Sequence, residues 1–166
     1  MGNGADNAVT PGVRARPLWV VAAVVAIVVA DQLTKSWAVS ALADGPQGLI
    51  GESVKFELAR NSGSAFSGFQ AYTPVLATLA IVITVFIARA VRQATDRWVM
   101  IGLVLVLGGA IGNLVDRIAR SPGFLRGHVV DFIAVGWWPV FNVADSCITI
   151  GAVLLIVRTL FGHESI

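Results

Sequence analysis

The chain is short of almost everything that soluble enzymes use. It has one cysteine, Cys147, so no disulfide can form within it and no cysteine cluster can hold a metal. Neither histidine lies at a plausible depth to activate Ser146 or Cys147, since His128 is in a loop and His163 is at the opposite end of the last apolar run, and no HExxH pattern occurs. Thiol, hydroxyl and metal-assisted hydrolysis are therefore poorly served, and no cofactor is expected. Charge is scarce as well. Lys and Arg number 12 against 10 Asp and Glu, only 13% of residues are charged, and the net charge of +2 is spread out, which argues against a nucleic-acid partner. No internal repeat is visible.

What fills the space is apolar. Of 166 residues, 56% are hydrophobic and the mean hydropathy is +0.78, beyond the roughly 45–50% apolar content of soluble domains. Four runs are long enough to cross about 30 Å of hydrocarbon. They span approximately residues 18–39, 74–91, 98–118 and 139–161. The first follows Arg14 and Arg16 but is too long for a cleaved leader and carries Asp31 and Lys35, so it reads as a retained span.

Four spans place both termini on one side. Arg14, Arg16, Arg89, Arg92, Arg97 and Arg158 flank the terminal and short middle segments, which by the positive-inside rule puts the termini in the cytoplasm. The outer connections then run from about 40 to 73 and from 119 to 138. "SVKFEL" in the first alternates as a half-buried strand does, predicting a small extracytoplasmic sheet. Trp137 and Trp138 in the second suit a membrane interface. The expected fold class is thus membrane all-α: four transmembrane helices with a small extracytoplasmic β-sheet and a short outer helix or loop. Residues 1–16 read as a disordered cytoplasmic tail and 17–162 as one domain.

Several polar side chains sit where lipid would not welcome them. Asp31 and Lys35 are one helical turn apart, an internal ion pair. Gly108 and Gly112 form a small-xxx-small face for close helix approach. Asn113 and Asp116, and again Asn142 and Asp145, are three apart and share a helix face. Asp116 is expected to orient Arg117 and pack the third span. Asp116, Asp131 and Asp145 converge on one membrane boundary, with too few cations to neutralise them all. Carboxylates held together away from water cannot all ionise. One can then activate water while another donates a proton, which is aspartic-protease chemistry. A small proton-coupled transporter or channel subunit is the competing class, and a structural scaffold leaves the acids without a role.

"DQLTK", "NSGSAF", "GGAIGNLVDR", "VVDF" and "FNVADS", in that order over about residues 18–160, resemble the motifs of the bacterial lipoprotein signal peptidases, the type II signal peptidases. The resemblance implies an aspartic endopeptidase, multi-pass in the bacterial cytoplasmic membrane, with its active site on the outer face. Its substrates would be diacylglyceryl-modified prolipoproteins presented from membrane lipid, and a monomer is expected. Carried over residue by residue, Asp131 and Asp145 match the catalytic pair. Asn61, Asn113, Arg117 and Asn142 match polar residues around the substrate, while Asp31, Lys35 and Asp116 match supporting positions.

Overall fold

The computed structural model describes residues 18–51, 53–63 and 73–162. The elements run α1 (Leu18–Ala41), β1 (Gln47–Ile50), β2 (Val54–Asn61), α2 (Thr73–Gln93), α3 (Arg97–Ala119), β3 (Val129–Val135) and α4 (Val143–Phe161). All four helices are long and apolar enough to span a membrane. The tail at 1–16 and the residues from Ser64 to Phe66 of the "NSGSAF" stretch lie outside the described residues.

Helix bounds match the apolar runs within two residues except at the start of the fourth. There the helix begins at Val143 and not at Pro139, because the backbone before it is held by β3. Phe141 donates to Ile133 O and accepts from Phe132 N and Ile133 N at 2.8–3.0 Å, so the chain stays extended until Asn142 caps the helix.

The helices keep large apolar side chains on their outer surface. On α1 these are Val21, Val25, Val29 and Leu33, one turn apart. Lipid chains are as apolar as leucine, so contact between spans depends on close packing rather than on escape from water. Helix α3 is the hub, touching α1, α2 and α4. Its glycines permit this. A Cβ on Gly108 would meet Ile27 of α1 at 2.9 Å, and one on Gly112 would meet the Asp31 carboxylate at 2.7 Å. Among the described residues, the backbone of α2 approaches α3 but not α4.

The short α2–α3 connection ends on Asp96, which accepts from Trp98 N and Val99 N at 2.8 and 2.9 Å. The same carboxylate takes Arg158 Nη2 at 2.7 Å, pinning the end of α4 to the start of α3.

At the other end lies an antiparallel sheet in the order β1-β2-β3. The alternating segment is β2, as its period predicts. Strand β3 falls in what reads as plain connection, because Val129 to Phe132 are all buried and the run lacks alternation. A short apolar run of this kind does not distinguish strand from helix. The sheet docks on α1 through Trp37, whose ring lies edge-on to Phe56 at 5.1 Å and to Phe132 at 6.1 Å. Such aromatic pairs contribute about 0.5–1.5 kcal/mol each beyond buried area. Ala38, Leu42 and Phe132 are buried beneath them. The rest of the outer connections, among the described residues, is turn and loop.

Candidate active site

Lys35 is completely buried, and three acceptors surround its ammonium. Asp31 Oδ2, Asp116 Oδ2 and Asn113 Oδ1 each lie 2.9 Å from Nζ. The expected Asp31–Lys35 pair is present, and Asp116 joins it. Asp31 uses its other oxygen to accept Ala144 N at 3.0 Å, in the first turn of α4. Asp116 also accepts Gln32 Nε2 at 3.1 Å, Arg120 Nε at 2.7 Å and Val130 N at 3.1 Å. It therefore ties α1, α3 and β3 together.

Asp116 does not orient Arg117 by pairing with it; its salt bridges are to Lys35 and Arg120. Neighbouring helix residues point about 100° apart, so Arg117 faces elsewhere. Its Nη1 donates to Asn61 O at 3.0 Å and to Gly127 O at 3.1 Å, joining α3 to the end of β2.

Asn142 and Asp145 are a capping box rather than two residues of one helical face. The Asn142 side chain accepts Asp145 N at 2.9 Å, and the Asp145 carboxylate accepts Asn142 N at 3.3 Å. This satisfies backbone donors that a helix start leaves without partners. The pattern Asn-x-x-Asp before an apolar run was the available signal.

Asp131 reaches the same place from the sheet. Side chains alternate along a strand, so Phe132 turns to α1 while Asp131 turns to the start of α4. Asp131 is only 2% exposed. Its Oδ1 accepts Asn142 Nδ2 at 2.6 Å, and Asn142 Nδ2 is also 3.2 Å from Asn113 Oδ1. Asn113 Nδ2 donates to Asp145 Oδ1 at 2.7 Å. Two asparagines thus bridge two aspartates. Burial, followed by the nearby charge of Asp145, pushes the Asp131 carboxyl up to about 6, against the opposing hydrogen bonds of Asn142 and Asn61 and the charge of Lys35.

Beside this network, where α2 stands away from α4, is a cavity of about 320 Å³. Leu76, Ala80 and Ile83 of α2, Ala110 and Leu114 of α3, and Ile148 of α4 form its apolar walls. Asn61, Asn113, Arg117 and Asp145 form its polar end. Asp131 is set back, joined to it through the asparagines. The site accordingly brings together all nine side chains singled out in the sequence. It also includes Gln32 and Arg120, which the sequence reading passed over. Lys35 occupies the centre of the inner acids, and among the described residues no group of three or more His, Cys, Asp or Glu could hold a metal ion. Ser146 Oγ donates to Asn142 O at 3.0 Å, within its own helix.

Comparison with known proteins places these features in context. A family model described as signal peptidase (SPase) II matches residues 23–161. The lipoprotein signal peptidase of Mycobacterium tuberculosis is 49% identical over 164 residues, covering 98% of this chain and 80% of the relative. That of Rhodococcus jostii is 51% identical over 148 residues, covering 89% and 74%. Two bacterial membrane enzymes solved by the in meso method share the fold. One has a TM-score of 0.72 at 27% identity, covering 89% of this chain and 94% of the other. The second has a TM-score of 0.69 at 25% identity, covering 88% and 90%.

Proposed function

The chain belongs to the signal peptidase II family, and on that footing we propose that Asp131 and Asp145 hydrolyse the bond between a signal peptide and the diacylglyceryl-modified cysteine of a prolipoprotein. It is a multi-pass membrane hydrolase that cleaves lipoprotein signal peptides. The family leaves the proton-coupled transporter reading without support.

The observation that carries the assignment is the asparagine bridge between two acids of unlike surroundings. Asp145 receives N–H donors on both oxygens, from Asn113 and from the Asn142 backbone, so both oxygens serve as acceptors. It takes a proton from water as the water oxygen attacks the scissile carbonyl. Asp131, buried and holding its proton up to about pH 6, gives that proton to the amide nitrogen as the C–N bond breaks. The products are a free amino group on the lipidated cysteine and a carboxyl group on the signal peptide. Return of the proton from Asp145 to Asp131 restores the pair for the next turnover.

The cavity at the polar end of α2, α3 and α4 gives the substrate its path. Acyl chains stay in lipid beside the apolar walls, and Asn61 and Arg117 meet the peptide at the mouth. Arg89, Arg92 and Arg97 crowd the opposite end of the bundle, supporting cytoplasmic termini and an extracytoplasmic site in the bacterial cytoplasmic membrane. Residues 17–162 form the peptidase domain, with 1–16 as a cytoplasmic tail. All the acids and amides come from one chain, so a monomer suffices. The test is cleavage of a diacylated prolipoprotein by purified Asp131→Asn and Asp145→Asn proteins. Each should lose at least about 10³-fold in rate while remaining folded, and substantial cleavage by either would remove that residue from the pair.

A further inference from the structure

The bonding of Lys35 exceeds what an ion pair requires. Asp31 and Asp116 supply two carboxylates to one ammonium, and Arg120 shares the charge of Asp116. Nevertheless the third ammonium N–H is given to an uncharged group, Asn113 Oδ1, at 2.9 Å.

That bond fixes the direction of an amide. An ammonium donates and never accepts, so the end of Asn113 facing Lys35 must be its carbonyl oxygen. The NH₂ end is then turned away, onto Asp145 Oδ1 at 2.7 Å. Asn142 is oriented separately, because Asp145 N holds its carbonyl oxygen at 2.9 Å and leaves its NH₂ for Asp131 at 2.6 Å. Reversal of Asn113 would set two oxygens against each other at Asp145 and two NH₂ groups against each other at Asn142. Such an arrangement tolerates only a protonated Asp145, which could not accept a proton from water.

We infer that Lys35 is a positioning residue of the peptidase: by holding the Asn113 carbonyl it keeps an N–H donor on Asp145 and so keeps Asp145 the proton-accepting member of the pair. The inference rests on the assignment of Asp131 and Asp145 as that pair. The charged groups facing Asp145 are Arg117 from α3 and Asp131 from β3, and those linked to it through Asn113 and Lys35 are Asp31 and Lys35 from α1 and Asp116 and Arg120 from α3. From α2 come the apolar Leu76, Ala80 and Ile83, and from β2 the uncharged Asn61. Of the cations among these groups, Lys35 is the one bonded to the amide that bonds Asp145.

Lys35→Met combined with Asp31→Asn removes one charge of each sign and leaves Asp116 its Arg120 partner. In nanodiscs with a diacylated prolipoprotein, kcat per folded enzyme should fall about 100-fold, the scale of losing one aligned donor in an active site. KM should change by less than about threefold. The low-pH limb of the kcat profile should move, which loss of packing alone does not do. Asn113→Leu should cause a similar loss, and adding it to the double variant should cost nothing further, since both act on one contact. Unchanged kcat, a change in KM alone, or losses that multiply would overturn the inference. If the double variant fails to fold, Asn113→Leu decides by itself: it leaves Lys35 both carboxylates, and an unchanged kcat there is equally fatal. Asp145→Asn, run in parallel, separates the two levels of the argument. Cleavage by that variant removes the assigned pair, whereas its inactivity beside a fully active Lys35 variant removes only the positioning role.

Discussion

Asp131→Asn should make the protein more stable at neutral pH while inactivating it. The wild-type carboxyl is raised from an ordinary 3.8 to about 6 by burial and by Asp145. For a group whose folded value lies above its unfolded value, the stabilising contribution is complete below 3.8 and is lost as pH rises through about 6. The gap corresponds to about 3 kcal/mol at 1.36 kcal/mol per pH unit. Asparagine has nearly the same shape, keeps an oxygen for Asn142 Nδ2, and has no charge to desolvate. At about pH 4 wild type and variant should therefore be similar in stability, and by about pH 7 the variant should be ahead by about 3 kcal/mol. For a chain of this size that is about 6–12 °C in Tm. Thermal unfolding of both proteins in the same detergent across this range measures the difference, and the comparison cancels the titration of groups common to both. A Tm difference that stays flat with pH, or one that favours wild type increasingly above about pH 6, would refute the electrostatic picture of Asp131.

Asp116→Asn should lower stability by about 3 kcal/mol, since it withdraws a buried partner from Lys35 and the partner of Arg120; normal stability and binding with no turnover would instead put Asp116 in the chemistry. Cys147→Ala should retain full activity, because among the described residues the thiol belongs to no hydrogen bond of the acid network; inactivity of a folded variant would reopen thiol chemistry. A prolipoprotein without its diacylglyceryl group should be cleaved far more slowly at equal subsaturating concentration, forfeiting roughly 0.8 kcal/mol for each CH₂ no longer held in lipid together with correct placement of the scissile bond. Equal turnover of the two substrates in nanodiscs would exclude lipid anchoring.

The four helices were legible because a membrane span needs length and hydropathy and little else, and both can be counted in the sequence. Strand β2 was legible because apolar Val54, Phe56 and Leu58 alternate with charged Lys55 and Glu57 along it. Strand β3 was not, since burial on both faces erases the alternation that marks a strand. Residue types at the site were equally visible, because Asp, Asn and Lys in apolar runs demand partners. Partnership was less so. Adjacent Asp116 and Arg117 suggest a pair, yet the helical rotation between them sends one to Lys35 and the other to the backbone of β2 and the β3 approach. The bridging by Asn113 and Asn142 joins residues 29 and 32 positions apart across separate elements. No spacing rule within one helix contains such a contact.

The start of α4 explains why a structural need and a catalytic one meet here. A helix that begins at the edge of a membrane exposes backbone N–H groups with no intrahelical partner, in surroundings where water is scarce. In this chain side chains of the site take up those donors: Asp31 accepts Ala144 N, Asn142 accepts Asp145 N, and Asp145 accepts Asn142 N. The positive end of the helix dipole favours negative charge at the same point. Asp145 is thus held by the very donors that require it, and Asp131 approaches it from the sheet through Asn142. Burial first, and then the charge of Asp145, push Asp131 toward its protonated form. Unequal acids therefore follow from one lying in the first turn of a helix and the other in the middle of a buried strand. A design that moved both acids onto α4 would lose that asymmetry and, with it, the division proposed here between proton acceptor and proton donor.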